Sequence, residues 1–268
     1  MSPARARFAA IAGLMLTLPA GLAAQGRVFV SHDEFWTNSS FFAASERQLM
    51  GNMLAWFSAS PGSRVYLYSN NATFNNGGSL KTYLTGLGYA VDDLGSNPTG
   101  ANLSQYGAVF TGGYSLYDPA ALGTYVVGGG KVWYFGGTCT ALTGISCEIG
   151  PGAEAGYANA FLSRVGFQLA PQYGGLTITN TSGFAAQGPF GAALFTGVAS
   201  VYANGGNPIV GTASLPSDVA RQVFSDGGVG VYGAAVITTS TVPEPQVWGL
   251  VATGLILIGV RRHRSGRA

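Results

Sequence analysis

The sequence predicts an α/β fold, a three-layer sandwich around a mainly parallel sheet that is extended by short β-strands in the C-terminal third. Between residues 27 and 169, short runs rich in β-branched and aromatic residues alternate with longer segments of helical periodicity. The centres of the short runs are apolar, which is typical of parallel strands that helices cover on both faces. Glycine pairs follow the fourth and fifth runs directly. They indicate the edge at which such a sheet forms its ligand crevice.

The first three predicted strands are Arg27–Ser31, Arg64–Ser69 and Tyr89–Asp93. A helix is predicted between the first two, from Phe41 to Ser58, and a second helix precedes the third strand, from Ser79 to Leu87. The apolar residues of the first helix fall on one arc at about 100° per residue. They are Phe42, Leu49, Met50, Met53, Leu54, Trp56 and Phe57.

The fourth and fifth predicted strands are Ala108–Thr111 and Lys131–Phe135. The helix between them should begin at Asp118-Pro119, because aspartate caps a helix and proline suits its first position. A run of three glycines ends this helix. Another helix is predicted from Glu154 to Val165, so strands and helices alternate through this half of the chain.

After Pro171 the pattern changes to short strands separated by glycine, asparagine and aspartate turns. The predicted strands are Leu176–Asn180, Val198–Tyr202, Pro208–Ala213, Gln222–Phe224 and Val229–Ile237. We expect them to extend the parallel sheet as antiparallel edges or to form a small β-layer.

Residues 1–24 have the order of a secretory signal peptide. Arg5 and Arg7 form the basic region, the segment from Phe8 to Leu18 is apolar, and small residues follow Pro19. This apolar core is too short for a stable membrane anchor, so cleavage near Ala23 to Gln25 is predicted; a retained anchor is the alternative. The general secretion machinery and signal peptidase are the implied partners.

Residues 241–268 have the order of a C-terminal sorting segment. An apolar run from Val247 to Val260 is followed by basic residues. Fourteen helical residues cover about 21 Å, which is short of the roughly 30 Å hydrocarbon core of a membrane. The basic residues should stay on the cytoplasmic side. Pro243 and Pro245 keep the outer flank extended around Glu244.

This tail resembles the PEP-CTERM sorting signal of exopolysaccharide-producing Gram-negative bacteria. The matching residues are Val242, Pro243, Glu244, Pro245, Arg261, Arg262 and Arg264. The resemblance implies recognition by exosortase, a membrane protease-transpeptidase, and removal of the tail. It also implies transient residence in the inner membrane and a final place on the outer surface or in the extracellular matrix. An ordinary C-terminal anchor is the alternative.

The order of elements from Arg27 to Leu169 resembles the class I glutamine amidotransferase-like fold, a flavodoxin-type sandwich. It also resembles a domain found in other PEP-CTERM cargo. The residues that carry this second resemblance are Tyr125-Val126, Gly129-Gly130-Lys131-Val132, Gly136-Gly137-Thr138, Asn159-Ala160-Phe161-Leu162 and Gly166-Phe167.

Residues 137–141, Gly-Thr-Cys-Thr-Ala, are similar to the Gly-x-Cys-x-Gly elbow that carries the amidotransferase nucleophile. That family has its histidine base downstream, whereas the histidines here are His32, upstream, and His263, in the tail. A disulfide between Cys139 and Cys147 is therefore favoured in an exported chain. Closing this loop should contribute about 2–3 kcal/mol. A catalytic Cys139 is the alternative.

A second candidate site follows the first strand. His32, Asp33 and Glu34 lie in the loop after it, and Glu46 falls within the apolar arc of the next helix. Because a buried carboxylate needs a partner, these side chains are candidates to bind a cation or a sugar hydroxyl. The alternative, which we favour because structural charges also cluster in this way, is a helix that begins near Glu46 and leaves it in a solvated first turn.

Tyr114 and Tyr117, in the loop after the fourth strand, are candidates to stack on a sugar; exposed tyrosines without a ligand are the alternative. Neither glycine pair is followed by Gly-Lys-Ser/Thr, so no phosphate-binding loop is predicted. No metal site and no cofactor are predicted either.

The charge distribution argues against nucleic-acid binding. Six of the thirteen basic residues lie in the two terminal segments. Between Gln25 and Ser240, ten acidic and seven basic residues remain, so this part carries a formal charge near −3. The basic isoelectric point of about 8.5 is therefore a property of the processing segments.

These observations predict a single exported α/β domain, residues 25–240, between the signal peptide and the sorting tail. The favoured function is that of a non-enzymatic protein of the cell surface or extracellular matrix. Two alternatives remain open. One is an amidotransferase-like hydrolase with a rebuilt site, and the other is a carbohydrate-binding module that contacts exopolysaccharide.

Overall fold

A computed structural model of the protein describes residues 25–69, 74, 78–93, 102–112, 118–137, 150–174 and 176–238. These residues belong to one compact unit, Ala24–Thr238, which we call the body. The predicted signal peptide and the predicted sorting tail lie outside the described residues.

The body alternates strands and helices in its first half and contains mostly short strands in its second half. The strands are β1 Gln25–Ser31, β2 Arg64–Ser69, β3 Ala90–Asp93, β4 Ala108–Gly112, β5 Lys131–Phe135, β6 Phe167–Leu169, β7 Ile178–Asn180, β8 Ser200–Tyr202, β9 Ile209–Gly211, β10 Val219–Asp226 and β11 Val229–Thr238. The α-helices are α1 Ala44–Trp56, α2 Ser79–Gly86, α3 Pro119–Val127, α4 Pro151–Leu162 and α5 Gly191–Phe195. Short 3₁₀ helices are Phe35–Thr37, Leu103–Gln105, Ser163–Val165 and Phe184–Ala186.

A seven-stranded sheet in the order β10-β11-β1-β5-β4-β2-β3 organises the body. The five strands from β1 to β3 in this order are parallel. Their carboxyl ends therefore meet at one edge, and their amino ends meet at the opposite edge. The predicted mainly parallel sheet is confirmed.

The C-terminal third adds antiparallel strands in two ways. β11 pairs with every residue of β1, from Gln25↔Thr238 to Ser31↔Tyr232. β10 pairs with β11 at the edge of the sheet. β6 pairs with β9, and β7 pairs with β8, in two small separate sheets. Both arrangements expected for the short strands are therefore present, and β11 lies inside the sheet because it covers the free side of β1.

The central strands of the sheet contribute side chains to two hydrophobic cores, one on each face. Phe29 and Trp133 pack on one face with α1, α2 and α5. Val28, Val30 and Val132 pack on the other face with α3 and α4. Neighbouring side chains of a strand point to opposite faces, so a strand that is apolar at every position fills both cores. Helices thus cover both faces of the sheet.

The boundaries of α3 follow from the chemistry of its terminal residues. The Asp118 carboxylate accepts a hydrogen bond from the backbone N–H of Ala120 at 2.8 Å, and Pro119 occupies the first turn. Gly129, with a φ of +96°, reverses the chain after the helix, a conformation that glycine adopts without strain. The Asp118-Pro119 start that the sequence predicts is confirmed.

Several elements differ from the sequence expectation. α1 begins at Ala44 rather than Phe41, β10 spans Val219–Asp226 rather than Gln222–Phe224, and the strand β6 was not predicted. Helix α4 begins at Pro151 rather than near Glu154, because proline is suited to the first helical turn. The segment Gly191–Phe195 forms a short helix that no periodicity indicated. Five residues are too few to show a helical repeat, and Leu194 and Phe195 are held instead by burial in the core.

Candidate functional site

The sequence-predicted ligand loop lies where the parallel strands β1 and β5 end. His32, Asp33 and Glu34 follow β1, and Gly136 and Gly137 follow the neighbouring β5. The three polar residues are no more than 2% exposed. Each of these buried polar groups therefore has to be bonded within the protein or shifted to its neutral form.

His32 is tied to the antiparallel strand β11. Its backbone N–H and its Nδ1 both bond the carbonyl oxygen of Val231, at 2.9 and 3.0 Å. A carbonyl only accepts, so Nδ1 carries the proton of a neutral ring. Burial lowers the pKa of His32 to about 4. His32 is thus a neutral structural residue rather than a base facing solvent.

Asp33 joins the Phe35–Thr37 turn to the segment that follows β8. Its Oδ1 accepts from the Phe35 N–H at 2.9 Å, and its Oδ2 accepts from the Asn204 N–H. Burial raises the pKa of Asp33 to about 7, against the opposite effect of these two N–H groups. The charge of Glu154 raises it further. This carboxyl therefore holds a proton at mildly acidic pH although it accepts two backbone bonds.

Three carboxyl groups form a buried cluster, which we call the carboxyl cluster: Asp33, Glu34 and Glu154. The interaction with the Glu34 side chain lowers the pKa of Asp33, against the larger effect of burial, whereas the charge of Glu154 raises it. Glu154, in the first turn of α4, accepts from the Tyr173 hydroxyl at 3.1 Å. Among the described residues, no group of three or more His, Cys, Asp or Glu has an arrangement that could hold a metal ion.

Glu46 is bonded elsewhere. It lies in the first turn of α1, as the alternative of a helix that begins near Glu46 predicted. Its side chain is buried rather than solvated. Its Oε1 accepts from the backbone N–H of Tyr202 at 3.1 Å, so it links α1 to β8. The convergence of all four polar residues on one ligand is not observed.

The crevice expected beside Gly136-Gly137 is filled by protein. The loop from Ala203 to Asn207, which we call the 203–207 loop, packs against the ends of β1 and β5. A Cβ atom added to Gly137 would lie 2.9 Å from both the His32 carbonyl oxygen and the Gly206 Cα, and Gly137 has a φ of +73°. These glycines therefore permit close approach of three backbone segments. The expectation that they border an open ligand crevice is wrong for this pair of strands.

The side-chain amide of Asn207 bonds three backbone groups beside the ends of β1 and β5. Its Oδ1 accepts from the Gly137 N–H at 3.3 Å, and its Nδ2 donates to the carbonyls of Pro151 and Ala170 at 3.1 and 2.9 Å. Asn207 is fully buried, so water cannot replace these bonds. We expect Asn207→Ala to lower the free energy of unfolding by about 2–3 kcal/mol, since three backbone groups lose their partner.

Asn52→Ala is the matched control for that prediction. The Asn52 amide also takes part in three hydrogen bonds, with Gln48 and with the carbonyls of Leu194 and Thr196, but it is half-buried at the surface. Water can satisfy the groups it leaves, so the expected loss is below about 1 kcal/mol. Denaturant unfolding of the two variants tests this difference, and equal losses would contradict it.

Several predicted site residues lie outside the described residues. They are Tyr114, Tyr117, Cys139, Cys147, Val242, Pro243, Glu244, Pro245, Arg261, Arg262 and Arg264. In an open sheet of this strand order, the ligand crevice lies between the carboxyl ends of β2 and β4, where the connections reverse direction. Residues 70–73 and 113–117, which follow those two strands, are also outside the described residues.

We did not predict from the sequence that Glu154, Asn204 and Asn207 lie at the carboxyl edge of the sheet beside Asp33 and Gly137. Glu154 carried a usable signal, because an acid at the start of a helix that follows a strand end lies near the carboxyl edge of the sheet. Asn204 and Asn207 carried none, since they follow a short strand of a different sheet.

The fold and the site define an α/β protein whose buried acidic side chains form hydrogen bonds within the protein at the carboxyl edge of its sheet. Comparison of the chain with protein families, with curated proteins and with solved structures found no match. Within the described part of the chain, no helix has the length and apolar character needed to cross a membrane.

Proposed function

We propose that this protein is an exported protein of the cell surface or extracellular matrix, sorted and processed by exosortase through its C-terminal tail. The observation that carries the proposal is the order of three features in the sequence: Val242-Pro243-Glu244-Pro245, the apolar run Val247–Val260, and the arginine-rich segment that follows it. Each feature alone is common. Together, in this order, they match a signal for recognition, membrane insertion and a cytoplasmic stop.

The boundaries of the body support this proposal. β1 begins at Gln25, directly after the predicted signal peptide, and β11 ends at Thr238, just before the predicted sorting tail. These two residues are paired in the sheet. Removal of the two predicted segments therefore leaves the described ladder between β1 and β11 intact.

The bonding of the polar residues at the carboxyl edge of the sheet supports a non-enzymatic function for the body. His32 is neutral and bonded to Val231, and Asp33 accepts two backbone N–H bonds. Both residues are at most 2% exposed. A general base must reach its substrate directly or through one water, and these side chains are committed to the protein backbone. We assign this region to stability.

We also infer that the sheet is of the flavodoxin and glutamine amidotransferase-like type. The order β3-β2-β4-β5 repeats the 2-1-3-4 order of the flavodoxin sheet, with all four strands parallel. β1 occupies the fifth position, so the first strand of the chain takes the place that the last strand has in flavodoxin. This order supports the finer fold assignment, which a solved structure would test.

Processing of the tail is the direct test of the sorting proposal. In a cell that contains exosortase, the mature protein should lack the segment from Trp248 to Arg262. A triple variant, P243A/E244A/P245A, should keep it, because the extended recognition strip is removed. Mass spectrometry of the surface and secreted fractions measures both outcomes.

Pro216→Ala provides the control, since Pro216 is an exposed proline before β10 and far in sequence from the tail. It should be processed like the natural protein. A mature natural protein that still carries Trp248 to Arg262 in such a cell would refute the proposal, as would normal processing of the triple variant.

A further inference from the structure

A groove lies at the amino ends of β4 and β5, the edge of the sheet opposite the carboxyl cluster. It has a volume of about 610 Å³ and is lined by the Leu103–Gln105 turn, by one side of α3 and by the glycines that precede β5. We call it the amino-end groove. Its volume is within the range of roughly 300–1,000 Å³ that is usual for sites of small ligands.

The floor of the groove is rigid and flat. The ring of Tyr125 lies on the backbone of Gly130, where an added Cβ would overlap the ring. The Tyr125 hydroxyl donates to the carbonyl of Tyr106 at 2.9 Å, and burial raises the pKa of Tyr125 to about 12. The ring is thus neutral and fixed in orientation. A fixed aromatic ring beside bare backbone suits the C–H face of a sugar, which is apolar and flat.

The polar side chains of the groove have unused hydrogen-bonding capacity. Asn102 Oδ1 accepts from the N–H and the hydroxyl of Ser104, at 3.1 and 2.7 Å, which leaves the amide N–H groups of Asn102 as donors. Thr124 donates its hydroxyl proton to the carbonyl of Ala120 at 2.9 Å, which leaves oxygen lone pairs as acceptors. Asn102, Ser104 and Thr124 are all exposed. Donors and acceptors side by side are complementary to sugar hydroxyls.

The charge at the groove is positive. Lys131 lines it and is the register partner of Arg27 on the adjacent strand. Burial, together with the charge of Arg27, lowers the pKa of Lys131. Among the described residues, neither cation forms a salt bridge; those present join Arg64 to Asp92 and Lys81 to Asp93. Lys131 Nζ donates to the carbonyl oxygen of Gly129 at the groove, and an anionic group bound beside it would offset its positive charge.

We propose that the amino-end groove binds a saccharide unit that carries a carboxylate, such as a uronic acid residue. The sugar face lies on Tyr125, its hydroxyls bond Asn102 and Thr124, and its carboxylate lies against Lys131. No described residue that lines the groove is an acid. Glycoside hydrolysis generally uses a pair of carboxyl groups, so the groove binds the saccharide without cleaving it. This inference is independent of the sorting proposal.

Calorimetric titration of the full-length protein with oligomers of glucuronic acid tests the proposal. Lys131→Gln and Asn102→Ala should each weaken binding about five- to tenfold, because each removes one charge-assisted or neutral hydrogen bond to the ligand. Thr124→Ala, at the surface of α3, is a second variant that leaves the backbone of the groove unchanged. It should weaken binding in the same direction.

Asn180→Ala is the matched control. Asn180 makes the same turn as Asn102, with its Oδ1 accepting from the N–H and hydroxyl of Ser182 at 3.1 and 2.8 Å, but it is not among the residues that line the groove. Its variant should bind like the natural protein. Absence of binding, equal binding of a glucose oligomer, or unchanged affinity in the Lys131→Gln and Asn102→Ala variants would overturn the proposal.

Discussion

A Gly206→Ala variant is expected to lose about 3 kcal/mol or more of folding free energy. The added Cβ would lie far inside the van der Waals radius of the His32 carbonyl oxygen, and it would also contact the Cα of Gly137. Both obstacles are backbone atoms at the ends of β1 and β5, so neither can move aside as a flexible side chain would. The strands would have to separate from the 203–207 loop.

Gly156→Ala is the control for this substitution. Gly156 is an exposed residue inside α4, and nothing lies within 4 Å of an added Cβ. Alanine should stabilise the protein there by about 0.4–1 kcal/mol, because it has the higher helix propensity. Thermal and denaturant unfolding of both variants measures the contrast. A Gly206→Ala protein as stable as the natural one would show that the 203–207 loop does not close the carboxyl edge as described.

The pH dependence of stability should change in opposite directions in two variants, His32→Asn and Asp33→Asn. His32 has a pKa of about 4 in the folded protein, against an ordinary value of 6.5. Between these values the unfolded chain binds a proton that the folded protein does not. The stability contributed by neutral His32 is therefore complete above pH 6.5 and is lost as the pH falls toward 4.

Asp33 acts with the opposite sign. Its pKa is about 7 in the folded protein, against an ordinary value of 3.8. Between these values the folded protein holds a proton that the unfolded chain has released. The contribution of protonated Asp33 is complete below pH 3.8 and is lost as the pH rises toward 7.

The two effects oppose each other between about pH 4 and 6.5, each with a slope of about 1.4 kcal/mol per pH unit. Removing His32 should leave a protein whose stability falls as the pH rises through this range. Removing Asp33 should leave one whose stability falls as the pH decreases. Asparagine retains an N–H donor toward Val231 at position 32, whereas at position 33 it replaces one of two accepting oxygens, so Asp33→Asn should also cost about 1–3 kcal/mol at every pH.

Denaturant unfolding of the natural protein and both variants from pH 4 to 8 measures these slopes. The other buried acids, Glu34, Glu46 and Glu154, are present in all three proteins. The His32→Asn difference therefore reports His32, and the Asp33→Asn difference reports Asp33 together with the carboxyls coupled to it. Parallel curves for the three proteins would contradict the assignment of a neutral His32 and a proton-holding Asp33.

The strands of the parallel sheet were predictable because their signal is local. Arg64–Ser69 and Lys131–Phe135 have the boundaries that the sequence predicts. After its first, basic residue each strand has four successive apolar or aromatic residues because it serves both cores, and glycine or polar residues flank each run. The Asp118-Pro119 helix start was predictable for the same reason, since the capping bond spans two residues.

The bonding of the candidate site was not predictable, because its partners are remote in sequence. The Asp33 bond to Asn204 spans 171 residues, and the His32 bond to Val231 spans 199 residues. Neither pairing leaves a local pattern. The position of His32, Asp33 and Glu34 at a strand end was predictable, whereas their use as internal braces depends on the register of β11 and on the path of the 203–207 loop.

The glycine pairs show the same limit. A glycine after a strand indicates close approach of another group, and the sequence does not say whether that group is a ligand or protein backbone. At Gly112 the neighbour is Phe135 of the adjacent strand, and at Gly137 it is the 203–207 loop. Whether these positions border a ligand crevice therefore depends on segments that are remote from them in sequence.

Gln25 and Thr238, the first residue of β1 and the last of β11, are register partners, so the two ends of the body lie side by side. Partners across an antiparallel ladder are about 4.5–5.5 Å apart at Cα, so a linker of a few residues would join them. A new opening is available at the exposed turn Gly227-Gly228, where added side chains would meet nothing within 4 Å. The architecture is therefore suited to circular permutation, with β10 at one new end and β11 at the other.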